Sequence, residues 1–418
     1  MSIIANLKRF RSRLRRAGRT IAVRRRYWLS VQRIRAKAAN GKIRVLFLNS
    51  ETSKWKCQSV YRKMEESGLF EPIVGITALG EQSSCTDSQL DNVFAKSELF
   101  FDALGDRHVR TVDLHPRRYK DLVEFAPDVV FFPEPWATLP PQTTEHVSQF
   151  ALTCYVPYFV FVQSNPEKHC NLEMHRTLSR YFVLNEDITK AYAKKHSWLR
   201  QSFDFVITGH PALDGISGPD LANGNGYVIY APHHSVWTEP KGLSTPISTF
   251  LSTGDVVLDY AKNHPEIKWA FKPHPRLRKT LADDHFWPKE RIDAYYQNWE
   301  TLGMVCYDGS YPGLFKQSRA MITDCDSFLA EYGATGKPII HLMRKDMRPH
   351  YHPYIADLLE CYYQVFSVED MLGTFEQVLE QRNDPKKDVR IAALRKAGLY
   401  GVDAAQNIVD YLRKLLKR

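Results

Sequence analysis

The segment Lys272–Pro275, KPHP, contains residue types that bind anions. Its two prolines restrict the loop, so we expect Lys272 and His274 beside the end of a strand, with Arg276 next along the chain. An imidazolium and a guanidinium form charge-assisted hydrogen bonds with phosphate oxygens. The segment therefore predicts a phosphate or pyrophosphate site. A turn in which His274 only caps backbone carbonyls is the structural alternative.

A second polar group lies in the segment 322–340, ITDCDSFLAEYGATGKPII. We expect a strand to end at Asp324 and a helix to begin near Asp326 or Ser327, with Ser327 as its N-cap. The free amide groups of a helix N-terminus bind phosphate, and Glu331, about one turn later, can accept hydrogen bonds from sugar hydroxyls. Because Asp and Ser also begin helices elsewhere, a purely structural cap is the alternative.

Two adjacent histidines, His233 and His234, follow another predicted strand in YAPHHSVW. They are candidates for proton transfer at the same site as His274. Adjacent histidines also suggest a metal, as does the pair His350 and His352, but no third ligand follows at a regular spacing. We therefore predict neither a metal nor a cofactor, and keep a metal as a minor alternative. The absence of GxSxG, P-loop, kinase and GxGxxG motifs disfavours hydrolases, NTPases and dehydrogenases.

Strands must position these groups, and the sequence contains a series of short apolar runs separated by helix-forming segments. The predicted strands are 43–50, 71–77, 128–134, 158–163, 180–185, 204–209, 227–232, 267–273, 304–308, 320–324 and 338–342. This alternation predicts an α/β protein with two doubly wound, Rossmann-like domains, each with a parallel sheet. Ligands are expected in a cleft between the domains, at the carboxyl ends of the strands.

The domain boundary is expected at 215–226, GISGPDLANGNG, because its Gly, Asn, Ser and Pro residues interrupt the pattern. The predicted organisation is listed in chain order: a basic arm 1–40, an N-terminal domain 41–214, a linker 215–226, a second domain 227–400 and a C-terminal helix 401–418.

The first 40 residues contain 13 basic residues and no acidic residue, whereas residues 41–418 have 44 basic against 47 acidic residues. Apolar residues recur in this arm at helical spacing, with arginines between them. The residues of this pattern that we assign to a membrane surface are Ile3, Leu7, Phe10, Leu14, Arg11 and Arg15. A basic amphipathic helix binds anionic lipid with about 1 kcal/mol per basic residue near the surface. We therefore expect residues 1–37 to be removable without unfolding the body.

Two other interpretations of the arm stay open: a helix docked on the body or on a partner, and a nucleic-acid-binding arm. The regular apolar stripe disfavours nucleic acid, and so does the slightly acidic body. The chain has 418 residues, 44% hydrophobic, as in globular proteins. Its seven cysteines form no CxxC pair, which indicates a reducing compartment. We predict no secretory signal and no transmembrane helix.

The order of motifs resembles one known family. TGHPALD (208–214), YAP (230–232), KPHP (272–275), TDCDS (323–327) and KPII (337–340) resemble those of the CDP-glycerol:poly(glycerophosphate) glycerophosphotransferases, which are teichoic-acid primases and polymerases. The resemblance covers roughly residues 155–345 and implies a GT-B-like architecture at the cytoplasmic face of the membrane, with residues 41–214 as the acceptor domain and residues 227–400 as the nucleotide-donor domain. It matches His274 to a histidine near the donor's phosphates, and Asp324, Ser327 and Glu331 to the TDYSS-type segment of the family.

The resemblance implies a transferase that moves glycerol phosphate, or a related polyol phosphate or sugar, from a CDP-activated donor to a lipid-linked or growing surface polymer. Donor binding is then expected from Lys272, Arg276, Asp324, Asp326, Ser327 and Glu331, and catalysis from His274, His233 and His234. The chain departs from the family at 160–169, VFVQSNPEKH, where a Trp-His-Gly segment is usual. A GT-B glycosyltransferase with a UDP-sugar donor and a catalytically inactive membrane-associated binding protein are therefore the alternatives.

Overall fold

The computed structural model describes residues 22–135, 138–160, 162, 173–195, 204–217, 226–237, 246–306, 311–344 and 351–417. The chain forms two compact units. The first contains the chain up to Phe159, the stretch Pro166–Ala212 and the C-terminal Asp403–Arg418. The second contains Val160–Asn165 and Leu213–Val402.

The first unit is built on a parallel sheet of seven described strands. In chain order the strands of this unit are β1 (Ile43–Asn49), β2 (Phe70–Ile76), β3 (His108–Arg110), the hairpin β4 (Val112–Leu114) and β5 (Arg117–Tyr119), β6 (Val129–Phe132), β7 (Leu152–Tyr155), β8 (Arg180–Val183) and β9 (Asp204–Ile207). The spatial order of the sheet is β3-β2-β1-β6-β7-β8-β9. The chain therefore winds outward in both directions from β1 and β6.

Helices cover this sheet. They are α1 (22–38), α2 (Gln58–Glu66), α3 (Asp87–Leu104), α4 (Thr144–Val147), α5 (Glu186–Lys195) and, at the end of the chain, α14 (Ala404–Leu416). Short 3-10 helices occupy Thr52–Lys54, Gly80–Gln82, Leu122–Phe125, Glu173–Arg176 and Pro211–Leu213. The predicted C-terminal helix is present, and its Ile408, Leu412 and Leu416 pack in the same apolar core as β1 and β2.

The second unit has a parallel sheet of six described strands in the order β12-β11-β10-β13-β14-β15. The strands are β10 (Tyr227–Ala231), β11 (Trp269–Phe271), β12 (Met304–Val305), β13 (Ser318–Thr323), β14 (Ile339–Leu342) and β15 (Tyr363–Val365). The helices are α6 (Phe250–Asn263), α7 (Leu277–Asp283), α8 (Lys289–Leu302), α9 (Pro312–Gln317), α10 (Asp326–Glu331), α11 (Pro353–Leu359), α12 (Val368–Phe375) and α13 (Lys387–Lys396), with a 3-10 turn at Gly333–Thr335 and a π segment at Glu376–Glu380.

The predicted α/β class with parallel sheets is confirmed, and ten of the eleven predicted strands overlap observed ones. The strand predicted at 158–163 is wrong for the described part of that range. The sheet uses Leu152–Tyr155 instead, where Cys154 and Tyr155 pair with β8. Pro157 follows two residues after Tyr155, and a proline cannot donate to a strand ladder, so the chain leaves the sheet there.

Helix α1 is docked on the first unit, which corrects the prediction of a separate arm for residues 22–38. Val31 and Ile34 are fully buried in the core of the first unit. The ammonium group of Lys37 lies 2.5 Å from the carboxylate of Asp128, and the guanidinium of Arg180 stacks on the ring of Tyr27 at 4.3 Å. The docked-helix alternative therefore holds for this stretch, and removal of residues 1–37 would expose the core.

The six membrane-surface residues of the sequence analysis, from Ile3 to Arg15, lie outside the described residues. Among the described helices, none combines the length and the apolar character that a membrane crossing requires.

Two substitutions in α1 test its docking. We expect Ile34→Ala to lower the free energy of unfolding by about 2–5 kcal/mol, because it leaves a cavity in the core. Leu29→Ala is the matched control, since Leu29 is 56% exposed on the same helix; a surface substitution changes stability by about 0.5 kcal/mol or less. Urea unfolding of both variants measures the difference. Equal stabilities of the two variants would contradict the docking.

Candidate functional site

The second sheet has a topological switch point between β10 and β13. From β10 the chain continues outward to β11 and β12, and from β13 it continues in the other direction to β14 and β15. In open parallel sheets, ligands bind outside the carboxyl ends of the strands at such a point. The loop after β10 carries His233 and His234, and Asp324 directly follows β13. The topology therefore brings together two of the three groups that the sequence analysis singled out.

The carboxylate of Asp324 organises this edge of the sheet. It is 2% exposed and accepts hydrogen bonds from the backbone amide of His233 at 2.6 Å, and from Ser248 Oγ and the Thr249 amide at 2.8 and 2.7 Å. The Thr249 hydroxyl is a fourth donor, at 3.3 Å. Burial raises the pKa of Asp324 to about 6, although all four donors favour its charged form. Asp324 thus fixes the histidine loop and the start of α6.

The KPHP loop comes next to the histidine loop through main-chain pairing. The amide of His274 donates to the carbonyl of Pro232 at 2.9 Å. As a result, the rings of His233, His234 and His274 cluster, with centroids 4.1–4.8 Å apart. The structure therefore assembles all three histidines that the sequence analysis assigned to catalysis.

The local hydrogen bonds determine the tautomers of two of these rings. Nδ1 of His233 accepts from the amide of Ser235 at 3.2 Å and from the hydroxyl of Ser235 at 2.8 Å, and Nδ1 of His274 accepts from the amide of Arg276 at 3.1 Å. A neutral imidazole whose Nδ1 accepts must carry its proton on Nε2. Neither Nε2 has an acceptor among the described residues, so each ring presents an N–H donor to a ligand.

The surroundings keep the cluster uncharged, which differs from the imidazolium expected from the sequence. Burial lowers the pKa of His274 to about 3, and His234, Arg276 and Lys272 act in the same direction. Burial also lowers the pKa of His234 to about 4, together with the charge of Arg276. The pKa of His233 is well below its ordinary value, through burial and then through the other two histidines. At neutral pH these rings donate hydrogen bonds without a charge of their own.

A metal fits this cluster poorly, although one ligand atom from each ring lies within 4.8 Å of the others. A ligating histidine binds the metal with a lone pair and normally donates its other N–H to a carbonyl or carboxylate. Here Nδ1 of His233 and of His274 accepts a backbone N–H, so the opposite nitrogen carries the proton. The rings of His234 and His274 are also stacked at an interplanar angle of 29°, so their lone pairs do not converge well. The geometry fits an anion better than a metal.

Lys272 and Arg276 occupy different environments. Lys272 is 4% exposed, and its ammonium lies 5.2 Å and 5.4 Å from the ring centroids of Tyr311 and Phe328. Arg276 is exposed at the start of α7. Arg276 thus has its side chain open to solvent near the histidines, whereas Lys272 is enclosed by aromatic rings.

The helix after Asp324 begins where the sequence predicted it, but its N-cap differs from the prediction. Helix α10 begins at Asp326 with Cys325 as its N-cap, so Ser327 lies inside the first turn and is not the cap. The carboxylate of Asp326 accepts from the hydroxyl of Tyr351 at 2.8 Å, and the carboxylate of Glu331 accepts from the hydroxyl of Tyr311. Both carboxylates are buried. Contacts of Asp326 and Glu331 with a nucleotide-activated substrate remain predictions, because the observed partners of both carboxylates are residues of the protein itself.

The KPII motif has a structural role in this chain. The ammonium of Lys337 donates to the carbonyls of Phe315, Lys316 and Ser318 at 2.5–2.8 Å and so closes the end of α9. Ser248 and Thr249, the partners of Asp324, were not among the predicted site residues. No sequence signal identifies these two residues, since both lie about 75 positions from Asp324.

Comparisons with known proteins agree with this architecture. No protein-family model and no curated protein sequence matches the chain. Among solved structures, a variant of the wall teichoic acid polymerase TagF is 13% identical, with a TM-score of 0.55 over 98% of each chain. The UDP-GlcNAc 2-epimerase of Neisseria meningitidis, bound to UDP-GlcNAc, is 15% identical, with a TM-score of 0.54 over 89% of this chain and all of that one.

A further similar structure is the UDP-GlcNAc 2-epimerase of Methanocaldococcus jannaschii, 12% identical, with a TM-score of 0.50 over 89% of this chain and 99% of that one. The fold is of the GT-B type. The GT-B-like architecture expected from the motif resemblance is therefore confirmed, and at these identities the similarity establishes the fold alone.

The lowered pKa values of His234 and His274 predict that the protein becomes less stable in acid. The unfolded chain takes up protons below about pH 6.5, whereas folded His234 and His274 stay neutral to about pH 4 and 3. Stability contributed by these groups is therefore lost as the pH falls from about 6.5 toward 4, by up to about 1.4 kcal/mol per pH unit for each.

Urea unfolding between pH 4.5 and 7 measures this loss. His274→Asn removes one of the groups, so the free energy of unfolding of this variant should fall less steeply with decreasing pH than that of the wild type. Identical slopes would show that His274 titrates normally in the folded protein.

Proposed function

We propose that this chain is a membrane-associated transferase of the GT-B type. It moves glycerol phosphate, or a related polyol phosphate or sugar, from a CDP-activated donor to a lipid-linked or growing cell-surface polymer. The observation that carries the proposal is the pair of Nε2–H donors of His233 and His274 at the switch point of the second sheet. These groups suit the oxygens of a nucleotide-linked phosphate.

The site's contribution to the reaction is electrostatic. In the transfer of a polyol phosphate, the acceptor hydroxyl forms the new bond to phosphorus and loses its proton to water, and the departing nucleotide phosphate keeps the electron pair of the broken P–O bond. Donors already aimed at the oxygens that gain charge lower the barrier without reorganising. His233 and His274 supply such donors, and the guanidinium of Arg276 adds a positive charge nearby. A neutral His234 with a pKa of about 4 is a weak base, so we assign the cluster to the phosphate.

Ligands of similar structures support a nucleotide-activated donor. The Neisseria epimerase is bound to UDP-GlcNAc, a Staphylococcus aureus MnaA structure contains UDP, and a TagF crystal was soaked with CDPG. A UDP-sugar is therefore the alternative donor. The missing Trp-His-Gly segment favours the other alternative, a binding protein of the same fold without turnover.

We further propose a peripheral position at the cytoplasmic face of the membrane. Residues 1–21 contain seven basic residues among regularly spaced apolar ones. On the docked helix that follows, Trp28 and Leu29 are each 56% exposed, beside exposed Arg25. Tryptophan and arginine at one surface suit the headgroup region of an anionic bilayer.

A matched pair of substitutions at His274 tests the phosphate role. His274→Asn keeps an acceptor for the Arg276 amide, as in an Asx-turn, but lacks a donor at the position of Nε2. We expect normal thermal stability and about 10²-fold slower turnover of CDP-glycerol with membranes as the acceptor source, as for removal of one transition-state donor.

His274→Gln is the counterpart of that variant. Its longer amide places an N–H near the position of Nε2 but does not reproduce the turn, so we expect lower thermal stability and partly recovered turnover. If the two variants lose turnover in proportion to their loss of stability, His274 is a structural residue.

Deleting residues 1–21 tests the membrane role without removing the docked helix. The truncated protein should keep its melting temperature and lose flotation with anionic liposomes at physiological salt, because seven positive charges and the apolar stripe are absent. Equal flotation of the full-length and truncated proteins would contradict the proposal.

A further inference from the structure

The loop after β10 places the hydroxyl of Ser235 between the ring of His233 and the segment that leads into α6. Ser235 is fully buried. Its Oγ lies 2.8 Å from Nδ1 of His233 and 3.0 Å from the backbone nitrogen of Ile247. The sequence analysis assigned no role to this serine, and the proposed function uses only the histidines beside it.

The direction of the hydrogen bonds around this hydroxyl follows from its partners. The amide of Ser235 donates to Nδ1 of His233 at 3.2 Å, so this nitrogen carries no proton in the neutral ring. The amide of Ile247 can only donate, so it occupies a lone pair of Oγ. The hydroxyl proton is therefore donated to Nδ1. The result is a directed chain from the Ile247 amide through Ser235 to the ring, and it ends at the Nε2–H of His233.

This chain acts on both the orientation and the strength of that donor. Two hydrogen bonds to Nδ1, from the amide and the hydroxyl of Ser235, fix the ring of His233 and keep its proton on Nε2. Successive hydrogen bonds also polarise one another, so the bonds accepted at Nδ1 make the Nε2–H a stronger donor. His274, by comparison, is held at Nδ1 by one described donor, the amide of Arg276.

The fold of the loop does not depend on the hydroxyl alone. The amide of His233 donates to the carboxylate of Asp324 at 2.6 Å, and the amide of Ser248 donates to the carbonyl of Ser235 at 3.3 Å. Both bonds remain when the side chain at position 235 is changed. The hydroxyl therefore supplies a constraint on the His233 ring that the main chain of the loop does not replace.

We propose that Ser235 is a positioning residue, whose hydroxyl holds the imidazole of His233 as the Nε2–H tautomer in the orientation that a phosphate oxygen requires. Ser235 acts through the ring and does not itself touch the phosphate, because its hydroxyl is buried and bonded on both sides. The proposal rests on the proposed function, in which His233 binds the phosphate of the donor. In the structural alternative, the hydroxyl serves only to satisfy the amide of Ile247.

Ser235→Ala removes the hydroxyl and leaves the amide at Nδ1 in place. Calorimetry on the full-length protein should show about fivefold weaker binding of CDP, as for the loss of one neutral hydrogen bond. In nitrogen-15 NMR spectra of the unliganded protein, the Nδ1 signal of His233 should move toward the position of an unbonded ring nitrogen. Ser235→Thr keeps a hydroxyl on Cβ and should restore both the affinity and the signal.

Ser318→Ala is the matched control. Ser318 is 2% exposed, lies at the opposite end of β13 from Asp324, and donates to the carbonyl of Phe315 at 2.7 Å. Both alanine variants lose a buried hydroxyl and should have lower melting temperatures. Only Ser235→Ala should change the CDP affinity and the His233 signal, because a purely structural serine affects neither.

An Nδ1 signal of His233 that is the same in wild type and Ser235→Ala would overturn the proposal, because the hydroxyl would then serve Ile247 alone. Equal CDP affinities of these two proteins would overturn it as well. An equal loss of affinity in Ser318→Ala would attribute the effect to stability and also contradict it. If the wild type does not bind CDP, the proposed function fails, and the His233 signals of the unliganded proteins still decide whether the hydroxyl holds the ring.

Discussion

The buried carboxylate of Asp324 is the constraint on which the site depends. A charge removed from water is tolerated only where donors surround it. Here the donors come from two distant parts of the chain, the loop after β10 and the start of α6. Because these donors all bind the two carboxylate oxygens of Asp324, the loop after β10 and the start of α6 are both held at the end of β13. The position of His233, and through it the arrangement of the histidine cluster, follows from this requirement.

The histidines repeat one local arrangement, in which Nδ1 accepts the amide of the residue two positions later. His210 of the first unit has it as well, with Nδ1 accepting from the amide of Ala212 at 3.2 Å. There Nε2 donates to the carbonyl of Pro157 at 2.8 Å, so the ring is fully satisfied and its role is structural. His233 and His274 share the turn but have no such carbonyl among the described residues. The difference between a structural and a ligand-binding histidine therefore lies in what faces Nε2.

The sequence predicted the architecture well because apolar strands and their polar ends are local features. Residues that follow strands, such as His233 and Asp324, could be identified as site candidates from their position alone. The predictions failed where contacts between residues far apart in the sequence determine the structure. In place of the strand predicted at 158–163, Leu152–Tyr155 pairs with β6 on one side and with β8 on the other. Helix α1 carries a strongly basic face, yet its docking depends on a core formed far along the chain.

The protonation states of the three histidines also could not be predicted from the sequence. KPHP indicated a cationic histidine, whereas burial in the first place, and then His234, Arg276 and Lys272, lower the pKa of His274 to about 3. The fixed tautomers of His233 and His274, with Nε2–H directed to a ligand, are the central claim. Nitrogen-15 NMR of the imidazoles at pH 7 tests it most directly. The account predicts unprotonated Nδ1 and protonated Nε2 in both rings, and changes in both Nε2 signals when CDP is added. Imidazolium rings, the opposite tautomer, or spectra unaffected by CDP would contradict it.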